Sequence, residues 1–130
     1  MSLYENPRLL IDGDLVAASD GRTFENINPA TEEVIGLVPD ASLDDAERAI
    51  AAARRSFDES DWATNHELRA RCLRQLREGL QERIEELRKI TVSEVGCPIQ
   101  MTGGPGLDSP VEWLGDYSDY LEKFEWKIDA

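Results

Sequence analysis

The sequence contains few of the side chains on which a self-contained catalytic or metal site depends. Among 130 residues there are two cysteines, Cys72 and Cys97, and a single histidine, His66. Two cysteines form neither a disulfide framework nor a zinc site. His66 stands near the predicted start of a helix with no nucleophile motif beside it, so we do not expect it to act as a general base. We therefore assign no catalytic residue.

Positive charge is also scarce. The chain carries 14 lysines and arginines against 27 aspartates and glutamates, a formal net charge of -13. Phosphate backbones and anionic membrane surfaces both require a basic face, so we expect neither nucleic acid nor a membrane as a partner. No apolar run is long enough to span a bilayer, and the first residues lack the features of a secretory signal. The remaining expectation is a cytoplasmic protein.

Residues 1–40 are predicted to form antiparallel β-hairpins. Asp12-Gly13 lies between two apolar runs, and this pair favours a tight hairpin turn because glycine accepts a positive φ at little cost. Residues 24–39 have the pattern of a strand, a turn and a second strand. Pro29 favours the turn, since proline holds the preceding residue in an extended conformation and cannot donate to a strand ladder.

Three amphipathic helices are predicted next, over residues 42–57, 65–95 and 110–126, so that the fold class is α+β. The first begins with a capping box, in which Ser42 and Asp45 exchange hydrogen bonds across the first turn. The apolar positions of the second helix recur at a three-four spacing: Leu68, Cys72, Leu73, Leu76, Leu80, Ile84, Leu87 and Ile90. The third helix has one apolar face: Val111, Leu114, Tyr117, Leu121 and Phe124.

Two further segments have compositions that also occur in ligand-binding sites. Residues 101–110 are rich in glycine, but they match neither the GxxxxGK[ST] nor the GxGxxG spacing of phosphate-binding loops, so we expect a plain loop. The last predicted helix is rich in aromatic side chains: Trp113, Tyr117, Tyr120, Phe124 and Trp126. Such a group is more often core or interface than a ligand pocket.

An ordered set of short motifs resembles the N-terminus of the aldehyde dehydrogenase superfamily. The set comprises an Ile-Asp-Gly hairpin, an Asn-Pro-Ala-Thr turn with its return strand, and a capped, alanine-rich helix. In this chain its pieces are Ile11-Asp12-Gly13, Asn28-Pro29-Ala30-Thr31, Glu33, Val34-Ile35, Val38-Pro39 and residues 42–57. Trp62, the helix that includes Arg69 and the stretch 93–98 extend the resemblance to essentially the whole chain, with Cys97 where the family often has lysine.

The resemblance implies an incomplete part of the family's α/β fold. Complete members oxidise an aldehyde to a carboxylic acid with NAD or NADP, using a cysteine nucleophile, a general-base glutamate and cofactor motifs. These motifs lie downstream in the family and do not occur in this sequence. The resemblance therefore implies that residues 1–130 are an N-terminal segment without the catalytic domain or the cofactor sheet. We expect no activity and no cofactor for the chain alone, and a partner that is the remainder of the enzyme or a complementing polypeptide. The parent family is usually homo-oligomeric.

One feature of the family falls on residues that are present here. Many members hold a structural monovalent cation through two backbone carbonyls before the Asn-Pro turn and an acidic side chain further on. In this chain these positions are Asn26, Ile27 and Glu94. Carbonyl and carboxylate oxygens suit a hard cation. The family's site also uses a downstream carbonyl that this chain lacks, so the alternative for the isolated chain is a surface carboxylate beside two strand carbonyls that are paired in the sheet.

Two other interpretations stay open from the sequence. The chain could be a non-enzymatic α+β module that binds a protein partner through the apolar faces of residues 65–95 and 110–126. It could also be an independent enzyme that uses Cys97 and His66, which would require these side chains to form a nucleophile–base pair. An N-terminal segment should expose a large apolar surface when isolated, whereas a self-sufficient module should be folded and monodisperse.

Overall fold

The computed structural model describes residues 8–126, which form two compact units. The hairpin unit comprises the described residues up to 60 together with residues 93–96, and the helical unit comprises residues 61–92 and 97–126. The described residues contain four strands, five α-helices and one 3-10 turn. The α+β fold class, with hairpins preceding helices, is confirmed. The first seven residues of the predicted β segment lie outside the described residues.

The hairpin unit contains two separate two-stranded antiparallel sheets. Its strands are β1 (Leu9–Ile11) paired with β2 (Asp14–Val16), and β3 (Thr23–Ile27) paired with β4 (Val34–Pro39). Asp12 and Gly13 form the first turn with φ angles of 57° and 85°. Positive φ at both central residues is the requirement of the hairpin turn predicted from this pair.

Helix α1 (Leu43–Glu59) begins with the capping box predicted from the sequence. The Ser42 hydroxyl accepts from the Asp45 backbone N–H over 3.2 Å, and the Asp45 carboxylate accepts from the Ser42 backbone N–H over 3.0 Å. The reciprocal bonds satisfy two N–H groups that the first helical turn leaves unpaired. The helix extends two residues beyond the predicted end at residue 57, because no glycine or proline stops it there.

The helical unit contains most of the remaining elements. They are a 3-10 turn (Asp61–Ala63), α2 (His66–Glu82), α3 (Ile84–Val95), α4 (Ile99–Thr102) and α5 (Asp108–Lys123). Asn65 caps α2, since its side-chain oxygen accepts from the Leu68 backbone N–H over 2.8 Å. Residues 93–95 at the end of α3, and Gly96 after it, belong to the hairpin unit.

The prediction of one continuous helix over residues 65–95 was wrong. The chain leaves helical geometry at Arg83, where φ is -112° and ψ is 16°, and α3 starts at the next residue. Arg83 ends α2 by donating its backbone N–H to the Leu80 carbonyl, and its guanidinium binds Glu86 in the first turn of α3. The apolar spacing continues across the break, so periodicity alone does not reveal it.

The segment after α3 is also more helical than predicted. The expected loop over residues 101–110 overlaps the end of α4 and the start of α5. Helix α5 begins at Asp108 rather than Pro110, and it ends at Lys123 rather than at residue 126. Pro110 lies inside the first turn, where its missing N–H has no helical acceptor to lose.

The core of the helical unit lies between α2 and α5. Ala70 on α2 is fully buried, and Val111 and Ser118 on α5 are almost as inaccessible. Gly115 admits the side chain of Arg77, because a Cβ at this glycine would lie 3.2 Å from the arginine Nε. Gly115 thus leaves room for the Arg77 side chain, while the small buried residues Ala70 and Ser118 allow α2 and α5 to pack closely.

Two residues of the predicted apolar face of α5, Tyr117 and Phe124, are exposed, and Phe124 already lies beyond the end of the helix at Lys123. Tyr117 was assigned to the apolar face with Val111 and Leu114, yet its side chain is 60% exposed. The buried position in that turn belongs to Ser118, because the close helix contact accepts a small side chain and excludes a large one.

None of the helices described between residues 8 and 126 has the length and the apolar composition required to cross a bilayer.

Candidate functional site

Two of the three predicted cation-binding residues are in direct contact in the hairpin unit. The side-chain Nδ2 of Asn26, on β3, donates a hydrogen bond to Oε1 of Glu94, near the end of α3, over 2.8 Å. Ile27 follows Asn26 on the strand, and only its backbone carbonyl enters the cation prediction. The contact brings the carboxylate of the predicted set to the strand that carries its carbonyls.

The strand pairing is irregular where these carbonyls lie. Asn26 pairs with Gly36 but Ile27 pairs with Val34, so Ile35 is the extra residue of a β-bulge. A bulge interrupts the hydrogen-bond ladder locally and is a common feature next to binding sites. The register of β3 against β4 therefore changes between Asn26 and Ile27, the two residues whose carbonyls enter the cation prediction.

The turn after this bulge is fixed by Asn28. Its carbonyl accepts from the Glu32 backbone N–H over 2.8 Å, and its own N–H donates to the Glu33 carbonyl over 2.9 Å. Its side-chain oxygen accepts from the Ala30 backbone N–H over 2.9 Å. Asparagine side chains favour turns because they replace a backbone acceptor in this way. The Asn-Pro-Ala-Thr sequence thus determines the conformation of the turn that joins β3 to β4.

A second contact joins this turn to the end of α3. Gly96 terminates the helix with a φ of 67°, and a Cβ added at this position would lie 2.8 Å from Cγ of Pro29. Glycine is required here both by the left-handed backbone and by the close approach of the proline ring. The Asn26–Glu94 hydrogen bond and the Pro29–Gly96 contact together fasten the β3–β4 hairpin to residues 93–96.

The donor set partly fits a monovalent cation. Glu94 is exposed and retains acceptor capacity beyond the one hydrogen bond from Asn26, while Asn26 and Ile27 offer backbone carbonyls at an irregular point of the sheet. Hard cations prefer such oxygen ligands. Within residues 8–126, no group of three or more His, Cys, Asp or Glu side chains converges as a metal site. Any cation here therefore depends on main-chain oxygens around one carboxylate.

A buried carboxylate that sequence reasoning assigned only to a helix cap has a wider role. The side chain of Asp45 is 1% exposed, and its Oδ2 accepts from the Ser19 backbone N–H over 3.0 Å as well as from Ser42. The backbone N–H groups of Ser19 and then Ser42 lower the pKa of Asp45 to about 2. The capping-box pattern predicts the hydrogen bonds between Ser42 and Asp45. No local pattern predicts the hydrogen bond from Ser19, which lies 26 residues from Asp45.

A second polar cluster in the helical unit is centred on Arg88, whose side chain is only 15% exposed. Its guanidinium donates to Oγ1 of Thr102 over 2.8 Å, to Asp108 over 2.9 Å and to Glu85 over 3.2 Å. Thr102 is fully buried and Asp108 is the first residue of α5. Arg88 also borders a cavity of about 300 Å³ beside Ile84. Since each guanidinium nitrogen is already bonded to the protein, the cluster fastens α4 and α5 to α3 rather than offering a catalytic group.

The cysteines and the histidine do not form a catalytic pair. Cys72 and Cys97 are both free thiols of intermediate exposure. The His66 ring stacks on Trp126 with centroids 4.0 Å apart and planes 6° from parallel. Among the residues described, neither cysteine forms a hydrogen bond with His66. The arrangement gives no support to an independent enzyme built on Cys97 and His66.

Comparison with known proteins accounts for the motifs and the fold together. The model of the aldehyde dehydrogenase family matches residues 15–128. The Bacillus subtilis (strain 168) protein DhaS, described as a candidate aldehyde dehydrogenase, is 31% identical over 122 residues, which are 93% of this chain and 25% of DhaS. This chain belongs to the aldehyde dehydrogenase family, and it corresponds to an N-terminal portion of the family's members.

Solved structures agree with this assignment. A variant of the aldehyde dehydrogenase from Bacillus cereus has a TM-score of 0.89 at 31% identity, over 98% of this chain and 26% of that enzyme. The aldehyde dehydrogenase of Mycobacterium tuberculosis, solved in complex with NAD+, has a TM-score of 0.87 at 28% identity, over 96% of this chain and 26% of that enzyme. The chain thus spans about a quarter of the length of the relatives it matches.

Proposed function

We propose that this chain supplies the N-terminal portion of an NAD(P)-dependent aldehyde dehydrogenase and is inactive by itself. The observation that carries the proposal is a close fold match over 98% of this chain but only 26% of the B. cereus enzyme. The described residues contain no nucleophile–base pair that could act alone. In the complete enzyme the nicotinamide cofactor would accept a hydride from the aldehyde carbon.

The exposed apolar side chains support a missing structural partner. In the hairpin unit, Phe24, Val34 and Leu37 are each about half exposed, and Leu43 and Ile50 on α1 are 77% and 69% exposed. A folded monomer rarely leaves so many large apolar side chains accessible in neighbouring elements. The partner in this proposal is the remainder of an aldehyde dehydrogenase chain or a complementing polypeptide, located in the cytoplasm.

The proposal includes a structural monovalent cation at Asn26, Ile27 and Glu94. The first two residues would provide main-chain carbonyls, and Glu94 would provide a carboxylate oriented by the Asn26 amide. The contact of Gly96 with Pro29 would hold this carboxylate near the bulge. A cation bound here would support the hairpin unit and would take no part in the chemical step.

A chimera tests the proposed function. The matched segment of the B. cereus aldehyde dehydrogenase is replaced by residues 8–126 of this chain, and NADH formation from simple aldehydes is measured. A control chimera carries the corresponding segment of the M. tuberculosis enzyme. We expect both chimeras to produce NADH. An active control beside an inactive or misfolded chimera of this chain would contradict the proposal, because it would show that this chain does not fill the structural role.

A further inference from the structure

Residues 124–126, which follow α5, are held against the start of α2 by a stacked pair of rings. The imidazole of His66 and the indole of Trp126 have centroids 4.0 Å apart and planes 6° from parallel. The indole also meets the ring of Phe124 edge-on at 4.8 Å. The contact between this segment and α2 therefore includes the single histidine of the chain, whose charge depends on pH.

The buried side of the imidazole has no acceptor for a second proton. Nδ1 of His66 is inaccessible to solvent and has no hydrogen-bond partner among the described residues. A neutral imidazole can place its lone pair at this atom, whereas the imidazolium carries an N–H on both nitrogens. A charged N–H that is buried without an acceptor costs more free energy than an unpaired lone pair. The stacked position therefore favours the neutral ring.

A cation is already fixed against the same indole ring. The guanidinium carbon of Arg69 lies 5.9 Å from the centroid of the Trp126 ring. Arg69 is held there because it donates to the Trp62 carbonyl over 2.6 Å and to the Ala63 carbonyl over 2.7 Å. A protonated His66 would be a second cation at this ring, and it would lie in the first turn of α2, where unpaired N–H groups repel positive charge. These repulsions oppose the attraction of an imidazolium to the indole face.

The neighbouring carboxylates do not replace the missing acceptor. The titratable or charged side chains on the elements that meet here are Asp61, Glu67, Arg69, Tyr120, Glu122, Lys123 and Glu125. None of them bonds to Nδ1 of His66. Asp61 and Glu67 are close to His66 in the sequence, so they stay near it whether or not Trp126 is docked. Glu122 is paired with Arg74, and Glu125 is exposed, where solvent and salt screen its charge.

We propose that His66 and Trp126 form a pH-sensitive latch, in which the neutral imidazole holds residues 124–126 against α2 and protonation of the imidazole releases them. A proton shifts this equilibrium toward the state that binds it better, and in the released state both N–H groups of the imidazolium can bind water. Histidine changes charge between about pH 5 and 8. The latch therefore opens at a higher pH than the protonation of Asp45, whose pKa is about 2. It requires neither a cofactor nor the remainder of the enzyme.

Nuclear magnetic resonance on the full chain tests the latch, because the single histidine gives one set of ring signals. At about pH 7.5 we expect an unprotonated Nδ1 and His66 ring protons shifted upfield by the indole of Trp126. At about pH 5.5 we expect a protonated Nδ1 and loss of most of the upfield shift, and the amide resonances of residues 124–126 should move with the same midpoint. The latch would be overturned by a missing upfield shift near neutral pH, by an upfield shift that the protonated ring retains, or by amides that do not follow the titration.

Two substitutions of His66 separate the charge of the ring from its shape. His66→Phe keeps a flat ring that stacks on Trp126 but takes up no proton, so we expect residues 124–126 to stay docked at both pH values. His66→Gln removes the ring, so we expect the released amide resonances at both. Glu125→Gln is the control and should leave the pH response unchanged. A response that persists in His66→Phe, or that disappears in Glu125→Gln, would contradict the assignment to His66.

Discussion

Asn26 and Glu94 are 68 residues apart in the sequence, yet the amide of the first donates directly to the carboxylate of the second. The bond joins the bulged end of β3 to the end of α3, next to the contact between Pro29 and Gly96. Within the hairpin unit, these two contacts determine where the Asn-Pro turn lies. They also place the Glu94 carboxylate beside the strand carbonyls of the proposed cation site.

Removing the Asn26 amide should weaken both stability and the response to cations. We expect Asn26→Ala to lower the free energy of unfolding by about 0.5–1 kcal/mol, because a partly exposed hydrogen bond is lost. Exchanging a large organic cation for K+ or Na+ should raise the melting temperature of the unsubstituted protein. We expect this rise to be smaller in Asn26→Ala. Thermal melts of the chimera in both salts give this difference. Glu25→Gln on the same strand is the matched control. An unchanged salt response in Asn26→Ala and in Glu94→Gln would contradict the cation proposal.

Two glycine substitutions should have opposite signs. Gly96→Ala places a Cβ against Pro29 in a left-handed conformation, so we expect it to lower the free energy of unfolding by about 1–3 kcal/mol. Gly79→Ala lies inside α2, and apart from its chain neighbours and the backbone of its own helix no atom lies within 4 Å of the new Cβ, so we expect it to raise stability by about 0.5–1 kcal/mol. Urea unfolding of both variants measures the difference. Equal effects at the two positions would contradict the role assigned to Gly96.

Acid should destabilise the hairpin unit through Asp45. Backbone donors lower its pKa to about 2 from an ordinary value of 3.8. A carboxylate with a lowered folded-state pKa contributes stability above its unfolded pKa and loses it as the pH falls through the folded pKa. We therefore expect melting temperature to fall between about pH 4 and pH 2 in the native chain, with a smaller fall in Asp45→Asn. Parallel profiles for the two proteins would contradict this assignment.

Substitution of either Thr102 or Arg88 in the Arg88 cluster should destabilise the helical unit. Thr102→Val keeps the shape but removes the hydroxyl that accepts from Arg88, and we expect a loss of about 1–2 kcal/mol. Arg88→Lys should also destabilise the helical unit, because one ammonium group lacks the planar fork that serves Thr102 and Asp108 together. Denaturant titrations measure both. Arg71→Lys, at an exposed position of α2, is the control and should be nearly neutral.

The isolated chain should bind a hydrophobic dye. Leu43 and Ile50 expose most of their surface on α1, so we expect Leu43→Ser with Ile50→Ser to reduce dye fluorescence, while Glu47→Gln on the same helix leaves it unchanged. Weak dye binding by the native chain, combined with a sharp cooperative melt, would favour a self-sufficient module instead.

Local sequence patterns predicted the local structure well. Asp12-Gly13 specified a turn with two positive φ angles, and Ser42 with Asp45 specified a capping box. The break at Arg83 was missed because the apolar period continues through it and no glycine or proline marks it. Sequence spacing also assigned Tyr117 to the packed face, since periodicity identifies a face but does not show which of two adjacent faces a neighbouring helix will cover.

The residues of the candidate site could not be identified from local sequence patterns alone. Asn26 and Glu94 were selected through the family resemblance, and no property of residues so distant in sequence predicts their hydrogen bond. The links of Ser19 to Asp45 and of Arg88 to Thr102 were missed for the same reason, since each joins segments that meet only after folding. Their hydrogen-bonding groups are common residue types, so the sequence gives no signal that distinguishes them.

Reconstitution from separate polypeptides tests the central claim most directly. The portion of the B. cereus aldehyde dehydrogenase that follows the matched segment is co-expressed either with this chain or with the enzyme's own N-terminal segment, and NADH formation from an aldehyde is measured. We predict no NADH from either piece alone, and NADH from the pair that contains this chain, at a rate below that of the natural pair. Activity restored by the natural segment and not by this chain would contradict the claim that this chain completes an aldehyde dehydrogenase, and so would NADH formation by this chain alone.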